Sequence, residues 1–325
     1  MRVLVTGANG LLGHHVVMEL LNTGHDVRII VRSVSKIGFD MNRVEVVTGS
    51  FADRDTIYSA AKDCDGIIHI AAVTDTDLFS YFDYKLINVD ATKQIIEAAT
   101  ALSIRKLVFV STANTIGYGN KNEPSDEHNP IEYPFTQSHY AKSKNEAEQL
   151  FKDYAKNNHV VIINPTFMIG SYDTKPNSGK LVIMGYKKRF LLLPEGGKNF
   201  VYVKDVAIAC CNALTMGKSG ERYLASGVNL SFKEYFKIQQ KVGAYKQTII
   251  IVPAFILGII ALSGDLLRFF KLKVSFCSRN INQLLIREYY TNSKAKTDLL
   301  LPETPLDLAI GEALNWFIKA GYIKK

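Results

Sequence analysis

Several features are scarce in this chain of 325 residues, and each absence narrows what it can be. Its four cysteines, at 64, 210, 211 and 277, show neither a CxxC spacing nor a paired framework. A disulfide scaffold is therefore excluded, no metal-ligand spacing is present, and reduced thiols fit the cell interior. Adjacent Cys210 and Cys211 lie in an apolar helical stretch and read as core. The first strand begins at residue 2 with no signal peptide ahead of it, so a cytoplasmic location is expected. The net charge of +8 is modest, and the basic residues are scattered. Short clusters such as Lys187-Lys188-Arg189 and Arg268–Lys273 read as solvated faces rather than a nucleic-acid groove. No apolar run reaches the ~20 residues of a membrane span. The longest, Ile249–Leu262, is broken by Pro253 and Gly258. It reads first as a buried cap helix, next as the wall of a pocket for an apolar substrate, and third as a membrane-surface patch.

What is present begins at once. Val3, Leu4 and Val5 read as a strand that begins at residue 2, and Thr6-Gly7-Ala-Asn9-Gly10-Leu11-Leu12-Gly13 follows, with apolar residues at helical spacing through Leu21. A strand that runs into a glycine turn and then a helix is a phosphate-binding device. Missing side chains let the backbone approach a pyrophosphate, and the first N–H groups of the helix face its charge.

Strand and helix signals then alternate, which predicts a doubly wound parallel sheet of Rossmann type, an α/β fold. Strands are expected at Asp26–Val31, Val44–Thr48, Gly66–Ile70, Lys106–Val110 and Val160–Asn164. Helices are expected over Arg54–Lys62, Lys85–Leu102 and about Tyr140–Asn157. Beyond Pro165 the pattern is irregular, with helices at Asp205–Met216 and Ser231–Val242 and a strand-like Arg222–Ala225. Residues 1–170, with returning segments at about 199–225, are expected to form the dinucleotide-binding domain. Residues 171–325 would largely form a smaller α/β substrate-binding cap. The loop Gly117–Gln137 and the cap from Ser171 onward are expected to line the pocket.

Tyr140 and Lys144 stand four residues apart, on one face of a helix. A phenol near pKa ~10 is a poor acid or base at neutral pH, and a fixed cation beside it lowers that value. The pair then suits proton exchange with a carbinol oxygen. Ser111 and Thr112 directly follow the fifth strand, where strand ends line the ligand crevice. A hydroxyl there suits an oxygen that changes between carbonyl and alkoxide.

With these residues in view, the chain resembles the extended short-chain dehydrogenase/reductases, in the NAD(P)-dependent epimerase/dehydratase group. The similarity is greatest to the dihydroflavonol-4-reductase-like branch, which includes 3β-hydroxysteroid dehydrogenase-like and hopanoid-associated sugar-epimerase-like members. It is carried by Thr6-Gly-x-x-Gly-x-x-Gly13, His69-Ile-Ala-Ala72, Asn88-Val-Asp-Ala-Thr92, Val110-Ser-Thr112 and Tyr140-x-x-x-Lys144. It continues through Asn164-Pro-Thr166, Asn199-Phe-Val-Tyr-Val-Lys-Asp205 and Gly220-Glu-Arg-Tyr-Leu.

The resemblance implies that Tyr140 is the general acid/base, that Lys144 lowers its pKa and binds the nicotinamide ribose, and that Thr112 orients the substrate oxygen. It places Gly7, Asn9, Gly10, Leu11, Leu12 and Gly13 at the pyrophosphate. Ala71, Ala72, Val73 and Ser111 would pass close to the cofactor, Asn88 would hold backbone near the site, and Pro165, Thr166 and Met168 would border the nicotinamide. It also implies a homodimer through helices like Lys85–Leu102 and Tyr140–Asn157.

Three departures refine the expectation. The second strand ends Val31-Arg32-Ser33, with no acid for a ribose 2′-hydroxyl; Arg32, assisted by Ser33 and Lys36, suits a 2′-phosphate. NADP(H) is therefore preferred, with NAD(H) as the alternative. Ser50-Phe51 stands where relatives carry Asp-Leu, which weakens the adenine contact. Ala113-Asn114 replaces the Asp-Glu pair of sugar-nucleotide dehydratases, which removes the acid and base for water elimination. The expected activity is an NADP(H)-dependent oxidoreductase acting on a small-molecule ketone, aldehyde or secondary alcohol of apolar character. Its rivals are an NAD-dependent sugar-nucleotide epimerase, for which Arg189, Lys198 and Arg279 would have to converge on a diphosphate, and a non-catalytic NADP sensor or scaffold.

Overall fold

The strands of the first half alternate in which face each side chain meets, and both faces are buried. In β1 (Arg2–Thr6), Val3 and Val5 pack into one apolar cluster and Leu4 into another on the opposite side. That double burial suits a parallel sheet covered by helices on both faces. The structure, a computed structural model, describes residues 1–34, 37–75 and 78–323.

In chain order the first half comprises β1, α1 (Leu11–Asn22), β2 (Asp26–Val31), β3 (Val44–Thr48), α2 (Arg54–Ala61) and β4 (Gly66–His69). There follow α3 (Tyr81–Lys85), α4 (Ala91–Ala101), β5 (Lys106–Val110), α5 (His139–Tyr154) and β6 (His159–Pro165). The second half holds β7 (Phe167–Ile169), α6 (Gly179–Gly185), β8 (Phe190–Leu193), β9 (Gly197–Tyr202), α7 (Val203–Asn212) and β10 (Arg222–Ala225). It ends with β11 (Val228–Ser231), α8 (Phe232–Val242), β12 (Thr248–Ile251), α9 (Ala254–Phe269), α10 (Ser278–Leu285), β13 (Arg287–Glu288), α11 (Ser293–Leu299) and α12 (Leu306–Lys319).

The main sheet has seven strands in the order β10-β6-β5-β4-β1-β2-β3, and every pairing is parallel. The Rossmann-type α/β fold expected from the alternation is therefore present. The strand order reverses at β1, so the crevice for a ligand opens at its carboxyl end, where the glycine turn lies. α7 packs against α1, and Cys210 and Cys211 are buried in that core as expected. β10 adds the edge strand beside β6.

The long helix expected over Lys85–Leu102 starts earlier, at Tyr81, because the Ser80 hydroxyl caps it by accepting from Phe82 N–H. It also carries a π-turn at Leu86–Asp90 with Asn88 inside it. Such wide turns re-aim one side chain and cluster at functional sites.

In the cap, β9 pairs antiparallel with β11 and parallel with both β7 and β13. A separate core of Phe200, Phe232, Tyr235, Phe236, Ile310 and Phe317 lies beneath. The apolar run at 249–262 departs from the buried cap helix that its hydropathy suggested. Ile249–Ile251 pair with β8, and of α9 only Ala261 and Gly264 are buried. Among the described residues, no helix is long and apolar enough to cross a membrane.

Candidate active site

The glycine turn is forced by packing. Gly7 has φ of +77°, and a Cβ there would stand 2.8 Å from the Ala71 nitrogen. A Cβ on Gly13 would meet the Gly7 carbonyl oxygen at 2.0 Å, so β1 and α1 approach only because both residues lack side chains. Gly10 N–H donates to Gly7 O at 3.0 Å and closes the turn. Gly10 is also the N-cap of α1, and no side chain caps that helix. Its first N–H groups are left for an anion, the arrangement a dinucleotide pyrophosphate requires.

Thr6, at the end of β1, anchors the neighbouring strand. Its hydroxyl oxygen accepts from the N–H groups of Ile70 and Ala71, both at 3.2 Å, and bonds His69 Nδ1 at 2.7 Å. His69 Nε2 reaches the Thr92 hydroxyl at 3.1 Å, which itself donates to Asn88 O at 2.9 Å. Burial lowers His69 to about 3, so the ring stays neutral and serves as a hydrogen-bond link. Asn88 accepts from Val73 N–H at 2.8 Å and donates to Val73 O at 3.1 Å and Ser143 Oγ at 3.0 Å. It positions the strand end and α5 from behind.

A single cavity of about 690 Å³ runs along the carboxyl ends of the strands. Of the residues singled out from sequence, Gly7, Asn9, Gly10, Leu11, Leu12, Gly13, Arg32, Phe51, Ala71 and Ala72 line it. So do Ser111, Thr112, Tyr140, Lys144, Pro165, Thr166 and Met168. Ser50, Val73 and Asn88 do not. The Ser50 hydroxyl is taken by Ala52 N–H at 3.2 Å, and Val73 is held by Asn88 as described. Lys36 lies outside the described residues.

Tyr140 stands in the first turn of α5, which the Ser138 hydroxyl caps by accepting from Ala141 N–H. The nearby Thr112 hydroxyl favours the ionised phenol, yet burial outweighs it and pushes the phenol up to about 12. The sequence led us to expect the reverse, a phenol lowered by Lys144. The reason for the difference is where the ammonium sits: Lys144 Nζ donates to Val110 O at 2.7 Å, is almost fully buried, and is itself lowered to about 7.

Behind this pair lies a buried carboxylate. Glu148 accepts from Ser111 Oγ at 2.5 Å, Thr115 Oγ1 at 2.7 Å and Asn164 Nδ2 at 2.8 Å, with Arg222 at 3.7 Å. Asn164 Nδ2 also donates to Thr112 O at 3.1 Å. The strand end that carries Ser111 and Thr112 is thereby tied to α5 and β6. On the far side, Asn199 accepts from Thr166 Oγ1 at 2.7 Å and fixes that hydroxyl.

Residues beyond Ser171 line the cavity as expected, through side chains that the sequence did not single out, apart from Lys198. Asp173, Thr174, Lys175, Asn177 and Ser178 form a strap over the glycine turn, with Thr174 Oγ1 donating to Asn9 O at 3.3 Å. Its Asn177 reaches Thr74 Oγ1 at 3.3 Å. Lys198 and Glu288 form an ion pair at the distal end, beside Tyr290, Gln283 and Leu284. Arg189 and Arg279 do not line the cavity, so the three cations considered for a diphosphate do not converge.

Two further expectations are corrected. No residue of Gly117–Gln137 lines the cavity. That loop is instead held behind Tyr290, through bridges of Gly119 to Tyr289 and Ser125 to Tyr290 and through Glu127, which accepts from Leu224 N–H at 2.8 Å. Nor does any residue of 249–262 line it; the wall comes from the segment that follows α9.

A profile of the NAD dependent epimerase/dehydratase family matches residues 3–226. Sterol demethylase protein B of Methylococcus capsulatus is 28% identical, across 99% of this chain and 100% of that one. A putative dihydroflavonol 4-reductase of Synechocystis is 27% identical, across 98% of this chain and 95% of that one. The UDP-glucose 4-epimerase of Thermus thermophilus, solved with NAD, superposes with a TM-score of 0.77 at 20% identity, across 98% of this chain and 100% of that one. At that identity the likeness is one of fold.

Proposed function

The chain belongs to the NAD dependent epimerase/dehydratase family, and we propose that within it the chain is an NADP(H)-dependent reductase or dehydrogenase. It interconverts a ketone or aldehyde and the corresponding alcohol. The observation that carries this reading is that Tyr140 and Thr112 both line a cleft whose lining acids, Asp173 and Glu288, are both engaged. Asp173 accepts from Gly179 N–H at 2.9 Å, and Glu288 pairs with Lys198. Neither is free for the elimination chemistry of a dehydratase.

In the reducing direction a protonated phenol is the useful form. Tyr140 gives its proton to the carbonyl oxygen as negative charge develops there, and the Thr112 hydroxyl holds that oxygen in place. A bound nicotinamide supplies or accepts the hydride. The uncapped start of α1 and the turn at Gly7, Asn9, Gly10 and Gly13 hold its pyrophosphate, and Lys144 meets its ribose. Arg32, exposed at the end of β2, takes the 2′-phosphate. Residues 1–170 with the returning segments α7 and β10 form the cofactor half, and the rest forms the cap.

The distal cleft favours a neutral, apolar substrate. Among the described residues the cation at that end is Lys198, and its pairing with Glu288 disfavours a sugar-nucleotide diphosphate. The names of the two curated relatives, a sterol demethylase protein and a dihydroflavonol reductase, support the same direction. Exposed Phe82 and Leu86, one helical turn apart, support a homodimer through the α3–α4 helix. Four buried free cysteines support a reducing, cytoplasmic setting.

The test is direct. Titrating the protein with NADPH and NADH, then following nicotinamide absorbance over a panel of ketones, should give net oxidation of NADPH. Tyr140→Phe should lower turnover by about 10²–10⁴-fold and leave NADPH binding intact. Tightly co-purifying NAD with no net nicotinamide change would make the protein an epimerase. Cofactor binding with no turnover on any carbonyl would make it a sensor.

A further inference from the structure

We infer that α9 and the sheet edge leading into it form a docking surface for an anionic lipid membrane, on which the protein lies without crossing it. The inference is independent of the proposed reaction. Along α9, Phe255, Ile259, Leu262, Leu266 and Phe269 follow one another at spacings of four, three, four and three, which places them on a single stripe. Their exposures are 70%, 65%, 68%, 60% and 80%. Phe270 and Leu272 extend the stripe past the end of the helix and are also exposed. An apolar helical face is normally buried against a core, and soluble proteins seldom expose a contiguous patch of more than a few hundred Å².

The helix is nonetheless firmly held. Gly264 sits so close to the returning chain that a Cβ would meet Phe276 O at 1.9 Å, and Asp265 accepts from Ser278 N–H at 3.0 Å. Arg268 donates to Val274 O at 3.2 Å and Leu78 O at 3.3 Å, which pins the turn after the helix. A narrow face of small residues is thus packed, while the bulky stripe faces solvent. The preceding sheet edge repeats the pattern: Phe190 and Leu192 in β8 and Ile250 in β12 are exposed, and Leu191 and Leu193 point inward.

Charge selects the occupant. From 249 to 276 the only acid is Asp265, against Arg268, Lys271 and Lys273. Lys187, Lys188 and Arg189, all exposed, precede β8, and Lys246 precedes β12. Lys273 pairs with Asp75 at 3.4 Å, and Lys271 is exposed. An apolar stripe rimmed by cations matches an anionic bilayer surface, where each lysine near the headgroups adds attraction. A second copy would bring the same cations face to face, so self-association is disfavoured. The same hairpin builds the cleft wall, since Ser275, Asn280 and Leu284 line the cavity. A substrate dissolved in the bilayer would meet the cleft where its wall leaves α9.

The experiment is flotation of the full chain with phosphatidylcholine vesicles, with and without phosphatidylglycerol, at low and high salt. The expected result is flotation with the phosphatidylglycerol vesicles, weakened by salt. Replacing Phe255, Ile259 and Phe269 together by serine should abolish it, with the melting temperature unchanged because these side chains are exposed. Lys271→Glu with Lys273→Glu should weaken it roughly tenfold or more. The inference is overturned if the wild-type chain stays at the bottom with both vesicle types or if the triple variant floats as well as wild type. It is equally overturned if the triple variant converts a dimer into a monomer by light scattering while wild type ignores vesicles, since a second copy would then occupy the stripe.

Discussion

Lys144 Nζ donates to the Val110 carbonyl at 2.7 Å while lying 4.1 Å from the centre of the Phe109 ring. The ammonium is therefore tied to the end of β5, one helical turn beyond Tyr140. It holds strand and helix together at the point where Thr112 and Tyr140 must meet, and burial lowers it to about 7 as a consequence.

That lowering has a sign. Between about pH 7 and the ordinary lysine value near 10.5, the unfolded chain carries a proton that the folded chain has lost. Stability contributed at this position therefore rises with pH across that window, by up to about 1.4 kcal/mol per pH unit. The melting temperature of the wild type should climb from pH 7 to 9 relative to that of Lys144→Met. Parallel curves for the two proteins would show that the ammonium is not desolvated.

The glycine turn offers a comparison of two single methyl groups. Gly13→Ala would place a Cβ 2.0 Å from the Gly7 oxygen, a backbone atom that cannot move without parting β1 from α1. Overpacking of this kind costs about 1–3 kcal/mol, and here cofactor binding should be lost with it. Gly10→Ala meets the same oxygen at 3.3 Å, which a small shift relieves. Its melting temperature should stay near wild type while NADPH affinity falls. Equal loss of stability in the two variants would refute the packing argument.

The parts of this molecule that were readable from sequence are those whose physics is local. A glycine turn between strand and helix, a phenol and an amine at i and i+4, and an arginine at a strand end each declare themselves within a few residues. What was missed depends on distant parts of the chain. Lys198 and Glu288 are ninety residues apart, and nothing near either announces the other. The strap at 173–178 lacks a periodic pattern and is placed by contacts to Asn9 and Thr74. The apolar run at 249–262 misled for a different reason. Hydropathy measures what water disfavours and carries no information on which neighbour covers it, so an outward-facing α9 reads the same as a buried helix. The phenol of Tyr140 was misjudged because the direction of a flexible lysine is not written in its spacing.

The Lys198–Glu288 pair can be separated from the chemistry of the site. Both groups are largely buried, so Glu288→Leu alone leaves an uncompensated cation and should cost about 3–5 kcal/mol in urea denaturation. Lys198→Met combined with Glu288→Leu removes both charges and should recover most of that loss. A neutral apolar ketone should still be turned over by the double variant. If the double variant folds well but loses all turnover, the pair contacts a charged substrate group and the apolar reading of the cleft is wrong.

The proposed preference for NADP(H) rests on Arg32 and can be tested there. The arginine lines the cavity at the end of β2 and is exposed, so its replacement should leave the fold unchanged. A hydrogen bond to a charged group contributes about 1.5–3 kcal/mol, which corresponds to roughly a 10- to 100-fold change in affinity. Arg32→Asp should therefore raise the dissociation constant for NADPH by that factor, because a carboxylate repels the 2′-phosphate. NADH binding should hold or improve, because the same carboxylate accepts from a free 2′-hydroxyl. Fluorescence titration with both cofactors measures the ratio. A ratio unmoved by the substitution would place the arginine over the adenine ring and remove the basis for preferring NADP(H).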